Sequence, residues 1–196
     1  MCTVVKSDAV PSPGQKYYAD TMVMKNIFDK YKQVAGIWES ELDTYSDEQF
    51  TKKPSEESWS IGQVYGHLVI GTMNYHIRQI EQCLLSDENQ KEKKTFPGKL
   101  MFFIKSFPPV RIKVPPSPTY TPQQPESKKT IVAEMQLLQE KLRDLSVEID
   151  TAVHFGKTKH PALGYLNAGE WYQLIIMHFR HHLRQKKRID SFIKGQ

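Results

Sequence analysis

Two histidines near the C-terminus, His178 and His182, have the type and spacing that best fit a chemical role. They lie four residues apart, so in an α-helix both side chains project from one face, about 40° apart. The same face carries an apolar stripe of Trp171, Leu174, Ile175, Ile189, Phe192 and Ile193. Imidazoles aimed at a core need polar partners, because burying an unpaired polar group costs roughly 1–3 kcal/mol. A divalent metal such as zinc or nickel, with a third ligand from elsewhere, would satisfy both rings.

The third ligand is expected from a histidine on another helix. One segment that is otherwise apolar carries a small and polar stripe at helical spacing, formed by His67, Gly71, Asn74 and Arg78. Of the seven histidines, His67 is therefore the best candidate, and Gly71 would leave open volume beside its ring. A regular helix would put His76 on the opposite side. Periodicity alone leaves open that these are ordinary core or interfacial histidines with satisfied hydrogen bonds.

Further residues could line or support such a site. Gln185 returns to the core face one turn after His182, where it could hydrogen-bond a histidine or bound water, or only contact a neighbouring helix. His181, on the flank of the stripe, could pair with a neighbouring helix, contact a carboxylate or ligate directly. Arg78 shares the face of His67 and could hold an anionic substrate or form an outward salt bridge. No general base can be named, and the other candidates to line a pocket are Asn74, Tyr75, Tyr65 and Glu170.

Other metal signatures do not fit the sequence. A zincin needs Glu directly after its first histidine, and Phe179 follows His178. Di-iron bundles use Glu-x-x-His, and no histidine here has Glu three residues before it. Three neutral histidines would leave a divalent ion its full charge and an open position for water or substrate.

Four segments with a helical period must position these residues. They predict helices at about 18–42, 60–86, 127–154 and 168–193, and strand-like alternation is scarce. The second and fourth segments begin with capping-box patterns, Ser60 with Gln63 and Asn167 with Glu170. Four long amphipathic helices predict an all-α antiparallel bundle, and such bundles hold metal sites in their cores.

The connection between the second and third helices, residues 95–125, is unusually long and rich in proline. Eight of the twelve prolines lie between Pro97 and Pro125. Its first half, residues 96–107, is apolar enough to predict a short helix packed on the bundle, followed by an extended strap that ends near Gln124. This crossover either covers exposed core or gates a substrate. Residues 1–15 are predicted to form a loose tail, and residues 16–196 a single domain.

Composition fits a soluble globular protein, with 39% hydrophobic and 25% charged residues among 196. No apolar run is long enough to span a membrane, and residues 1–8 lack the features of a secretory signal. Two cysteines make no disulfide framework, so a cytoplasmic location is expected. The net charge of +5 is modest, and most basic residues of the fourth segment project away from the histidine face. A nucleic-acid partner is therefore not expected.

Two stretches carry a family resemblance. Residues 59–68, WSIGQVYGHL, resemble the entry to the second helix in the DinB/YfiT-like family, and residues 178–185, HFRHHLRQ, resemble its fourth-helix signature. Residues 160–166, HPALGYL, resemble a branch of that superfamily whose function is unknown. The resemblance implies an up-down-down-up four-helix bundle with a divalent metal bound by His67, His178 and His182.

The resemblance also implies classes of function. Family members include thiol-dependent S-transferases and a mycothiol-dependent maleylpyruvate isomerase, and many have no known reaction. The expectation is a metal-dependent transferase or hydrolase that acts on a small-molecule substrate through a metal-activated thiol or water, with a low-molecular-weight thiol as candidate cofactor. The alternative is a non-enzymatic metal-binding bundle with a structural or dimeric interaction role. A homodimer is expected from the family and from apolar residues on the second helix, Ile70, Met73, Ile77, Ile80 and Leu84.

Overall fold

The computed structural model describes residues 13–108 and 121–195, with side chains from residue 27 onward. Its long elements are α1 (Pro13–Leu42), α3 (Ile61–Gly71), a π-helical turn (Thr72–Ile77), α4 (Arg78–Leu85), α6 (Lys128–Asp150) and α7 (Ala168–Lys194). The short elements are α2 (Asp47–Thr51), α5 (Phe96–Ile104), β1 (Lys157–His160) and β2 (Gly164–Asn167). The run from α3 through the π turn to α4, residues 61–85, is one continuous rod, which we call the second rod.

The four predicted helices are confirmed as α1, the second rod, α6 and α7. The first begins earlier than expected, so residues 13–15 of the predicted tail belong to α1, and the rest of that tail lies outside the described residues. The short helix expected in residues 96–107 is α5. Both capping boxes are present: Ser60 Oγ accepts the Gln63 N–H at 3.0 Å, and Asn167 Oδ1 accepts the Glu170 N–H at 2.9 Å.

The direction of each helix follows from contacts between helix ends. The C-terminal ends of α1 and α7 meet, because the Lys186 ammonium lies 2.9 Å from a Glu41 carboxylate oxygen. The second rod begins where α1 ends, since the Tyr65 hydroxyl donates to the Trp38 carbonyl at 2.7 Å. α1 and α7 therefore run in one direction and the second rod runs in the other.

The second rod and α6 begin at the same end of the bundle. The Ser60 hydroxyl donates to Gln124 Oε1 at 2.6 Å, and Gln63 Nε2 donates to the Pro122 carbonyl at 2.7 Å, just before α6 starts. These contacts complete the up-down-down-up four-helix bundle, so the predicted fold class is confirmed. Consecutive helices that run the same way need a connection that returns along the bundle, which explains the long crossover. Most of the predicted extended strap lies in residues 109–120, outside the described residues.

A small antiparallel hairpin, β1 with β2, pairs His160 with Gly164 and Lys157 with Asn167. It was not predicted, because two four-residue strands give too short an alternation to recognise. Its role is local: β2 ends at Asn167, which is the N-cap of α7, so the hairpin fixes where the histidine-bearing helix begins.

We expect Gly164→Ala to destabilise the fold by about 1–3 kcal/mol. Gly164 has φ of 80°, and an added Cβ would lie 2.6 Å from the Thr95 nitrogen and 2.8 Å from the Lys93 oxygen. Urea unfolding followed by circular dichroism measures the change. Gly169→Ala is the matched control, since its Cβ would come no closer than 3.7 Å to another group. Equal free energies of unfolding for the two variants would contradict the hairpin conformation.

The apolar residues of the second rod that suggested a dimer are mostly covered by this chain. Ile77 and Ile80 are buried, Met73 and Leu84 pack against the core, and only Ile70 is exposed. The apolar surface that a second subunit would cover on this rod is therefore smaller than the sequence suggested. No helix in the part of the chain described here has an apolar stretch long enough to cross a membrane.

The homodimer stays a prediction from the family resemblance. We expect light scattering to give about twice the chain mass of 22.8 kDa at micromolar concentrations. A single species at the chain mass across that range would contradict it.

Candidate metal centre

Three histidines converge between the second rod and α7. The Nε2 atom of His178 lies 2.9 Å from Nε2 of His67 and 3.0 Å from Nε2 of His182. His178 and His182 stand one turn apart on α7, and His67 faces them from α3. All three possible ligand atoms lie within 4.8 Å of one another. Nitrogen ligands about 2.0–2.1 Å from a tetrahedral zinc are separated by roughly 3.3 Å, so one ion fits between them after a small adjustment.

The hydrogen bonding of this cluster also fits a shared cation. His182 Nδ1 lies 2.8 Å from Gln185 Oε1, which only accepts, so Nδ1 carries the proton and Nε2 presents a lone pair. The Nε2 atoms of His182 and His67 both lie within hydrogen-bond distance of His178 Nε2. Because His178 Nε2 carries at most one hydrogen, it can donate to only one of them. Among the described residues, His178 Nδ1 is buried without a partner. A metal bound by three lone pairs would remove the conflict between the inward nitrogens.

Burial keeps the three imidazoles neutral. Desolvation lowers the pKa of His67 to about 4 and is the main reason that the pKa of His182 falls to about 3. Desolvation, followed by the neighbouring imidazoles, holds the pKa of His178 well below its ordinary value of 6.5. Because metals bind the neutral ring, the side chains are ready to ligate at neutral pH.

Aromatic rings enclose the cluster and account for the desolvation. The Trp59 ring lies 5.0 Å from the His67 ring and stacks parallel to His182 at 6.5 Å. Phe107, just after α5, lies 6.5 Å from the His178 ring. Neither residue was expected at the site. The signals for them were that Trp59 begins the 59–68 motif of the family resemblance and that Phe107 ends an apolar segment of the crossover.

The predicted position of His76 was wrong. Nine residues of regular α-helix after His67 would have put it on the opposite side. The π-helical turn Thr72–Ile77 holds one extra residue, which rotates the residues after it by about 100° and His76, near its end, by most of that angle. The His76 ring therefore lies 5.5 Å from the His178 ring and 5.9 Å from Trp171. Its Nδ1 is buried and has no hydrogen-bond partner within the described part of the chain.

The same turn breaks the polar stripe predicted from His67 to Arg78. Gly71 still lies beside His67, where an added Cβ would be 3.9 Å from Nδ1. Arg78 follows the turn and is exposed, so it does not continue the His67 face, and Asn74, inside the turn, is exposed as well. Their contacts with a bound substrate stay predictions. Tyr75 is partly exposed, and its ring lies 5.7 Å from Trp171.

The remaining candidates have mixed outcomes. Gln185 accepts the hydrogen bond from His182, which orients that ring. His181 does not join the three converging nitrogens: its ring lies 5.1 Å from Phe107, and its Nδ1 has no partner among the described residues. Glu170 caps α7 and forms a salt bridge with Lys94, and Tyr65 is buried in the core, so neither lines the centre.

We expect Gln185→Leu to lower divalent-metal affinity by about 10–100-fold. The variant removes the group that holds the His182 ring and fixes its proton on Nδ1. Competition with a chromophoric chelator measures the affinity. Gln136→Leu, an exposed change of the same type on α6, should have no effect. Unchanged affinity in Gln185→Leu would show that this hydrogen bond does not support a ligand.

Comparisons with known proteins place the chain in a family. A structure described as "YfiT from Bacillus subtilis is a probable metal-dependent hydrolase with an unusual four-helix bundle topology" aligns with a TM-score of 0.48 and 16% sequence identity, over 98% of this chain and 94% of that one. No match was found among curated proteins. The sequence model of the DinB superfamily matches residues 31–185, a range that includes all three converging histidines and Gln185. The chain therefore belongs to the DinB superfamily.

Proposed function

We propose that this chain is a divalent-metal-dependent enzyme, a thiol-dependent S-transferase or a hydrolase, with His67, His178 and His182 as the metal ligands. The observation that carries the proposal is the convergence of their three Nε2 atoms in a desolvated site. When bound there, a divalent ion would lower the pKa of a coordinated thiol or water and so supply a nucleophile at neutral pH.

The number of protein ligands favours catalysis over a structural role. Within the described residues the group contains three histidines and no cysteine or carboxylate. Structural zinc sites have four protein ligands, whereas catalytic sites have three and leave a position for water or substrate. Three neutral ligands also leave the charge of the ion uncompensated, which favours an anionic fourth ligand such as a thiolate or hydroxide.

The chain's own residues prepare this site in three ways. Gln185 fixes the His182 ring so that Nε2 presents its lone pair. The neutral state of the imidazoles avoids competition with protons at neutral pH. Trp59 and Phe107 exclude bulk water from two sides, which strengthens electrostatic interactions with a bound nucleophile.

The test has two steps. Metal analysis of protein purified without chelators should find about one divalent ion per chain, and X-ray absorption should show three imidazole ligands with an open position. The metal-loaded protein is then screened with low-molecular-weight thiols against electrophiles, and with water alone against esters and amides. We expect metal-dependent turnover in one of these screens. A fourth protein ligand, or bound metal without turnover in any screen, would favour the alternative of a non-enzymatic metal-binding bundle.

A further inference from the structure

His76 is held beside the three-histidine centre by an unusual piece of backbone. A π-helical turn is less favourable than a regular helix and occurs frequently at functional sites. Here it turns the His76 ring towards His178 and Trp171, at ring distances of 5.5 and 5.9 Å. Without the extra residue in the turn, His76 would point away from the centre.

In the part of the chain that is described, one ring nitrogen of His76 lacks the hydrogen bond that a buried polar atom needs. Its Nδ1 is buried and has no hydrogen-bond partner within the described residues. Buried polar atoms without partners are rare in native proteins, and an apolar side chain would fill the same space without this cost. His76 is not part of the group of three whose ligand atoms converge, so ligation does not satisfy it either. A partner that lies outside the described residues would meet this requirement, and a small ligand bound at the centre is such a partner.

The electrostatics of the centre indicate what that partner is. Among the described residues, the converging group holds three histidines and no carboxylate. A divalent ion bound there keeps its full charge and favours an anionic ligand. An anion bound to a divalent ion keeps further lone pairs, and a neighbouring N–H stabilises it by donating a charge-assisted hydrogen bond. An imidazole N–H can supply one.

We propose that His76 is a ligand-contacting residue: its Nδ1–H donates a hydrogen bond to the small anion, a thiolate or carboxylate, that binds at the three-histidine centre. This inference rests on the proposed function, because it requires a metal held by His67, His178 and His182. It adds a fourth histidine that binds the ligand instead of the metal.

The test uses the cobalt(II)-loaded protein, whose visible absorption reports on the coordination sphere, titrated with azide at constant pH. We expect His76→Phe to bind one equivalent of cobalt, as the unchanged protein does, and to bind azide about 10–100-fold more weakly. His76→Gln should recover part of the loss, because its amide also donates. His154→Phe, at an exposed histidine paired with Asp87, should bind azide as the unchanged protein does.

The outcomes separate this inference from the proposed function. Equal azide affinity in the unchanged protein and a folded His76→Phe, both with full cobalt, would overturn the role of His76 and leave the metal site intact. Loss of cobalt from His76→Phe alone would also overturn it, because His76 would then support the ligands. Failure of the unchanged protein to bind cobalt would overturn both. If His76→Phe does not fold, His76→Leu gives the same comparison with a smaller side chain.

Discussion

Replacing both candidate ligands on α7, as His178→Ala/His182→Ala, should abolish tight binding of divalent metal. The change removes two of three converging nitrogens, and a single imidazole from His67 cannot hold an ion against water. The loss of affinity should exceed the about 10–100-fold effect typical of residues that only support a ligand. Equilibrium dialysis followed by elemental analysis measures the stoichiometry.

The matched control for this variant is His154→Ala, which removes an exposed histidine paired with Asp87 at 3.1 Å. It should keep one metal ion per chain. The single variants His67→Ala and His182→Ala should each lose tight binding as well. If the folded double variant keeps full stoichiometry, these histidines are ordinary core residues and the metal lies elsewhere.

Acidification should strongly destabilise the protein when it is free of metal. His67 has a folded-state pKa of about 4 and His182 of about 3, against 6.5 in the unfolded chain. Below pH 6.5 the unfolded chain therefore binds more protons than the folded one, and the free energy of unfolding falls as pH drops towards 4. At about 1.4 kcal/mol per pKa unit, the His67 shift alone corresponds to roughly 3 kcal/mol by pH 4. We expect a loss of several kcal/mol between pH 7 and 4.5.

Urea unfolding of chelator-treated protein at pH 7, 6, 5 and 4.5 measures this dependence. His67→Phe should reduce it, because one histidine with a lowered pKa is gone and the apolar ring tolerates the same surroundings. Saturating zinc should raise the free energy of unfolding at pH 7 through preferential binding to the folded state. A free energy of unfolding that does not change with pH in the metal-free protein would contradict the desolvated, neutral histidine cluster.

The amino-acid sequence by itself determined the features that depend on local pattern. The four long helices follow from apolar residues at helical spacing, and the capping boxes at Ser60 and Asn167 fix where two of them begin. The pair His178 and His182 could be recognised because residues four apart share a helix face whatever the rest of the fold does. His67 could be selected because it lies only seven residues into its helix, before any irregularity in the backbone.

Only the tertiary structure decided which way the side chains after residue 71 point. The predicted polar stripe requires a regular spacing of about 100° per residue along the whole second rod, and the π turn changes the phase of the residues that follow it. It brings His76 to the centre and turns Arg78, which follows it, away from the His67 face. The turn packs against α7, which is far away in the sequence. Phe107 likewise covers the centre through a contact between segments that are far apart in sequence. Helical periodicity does not predict contacts of this kind.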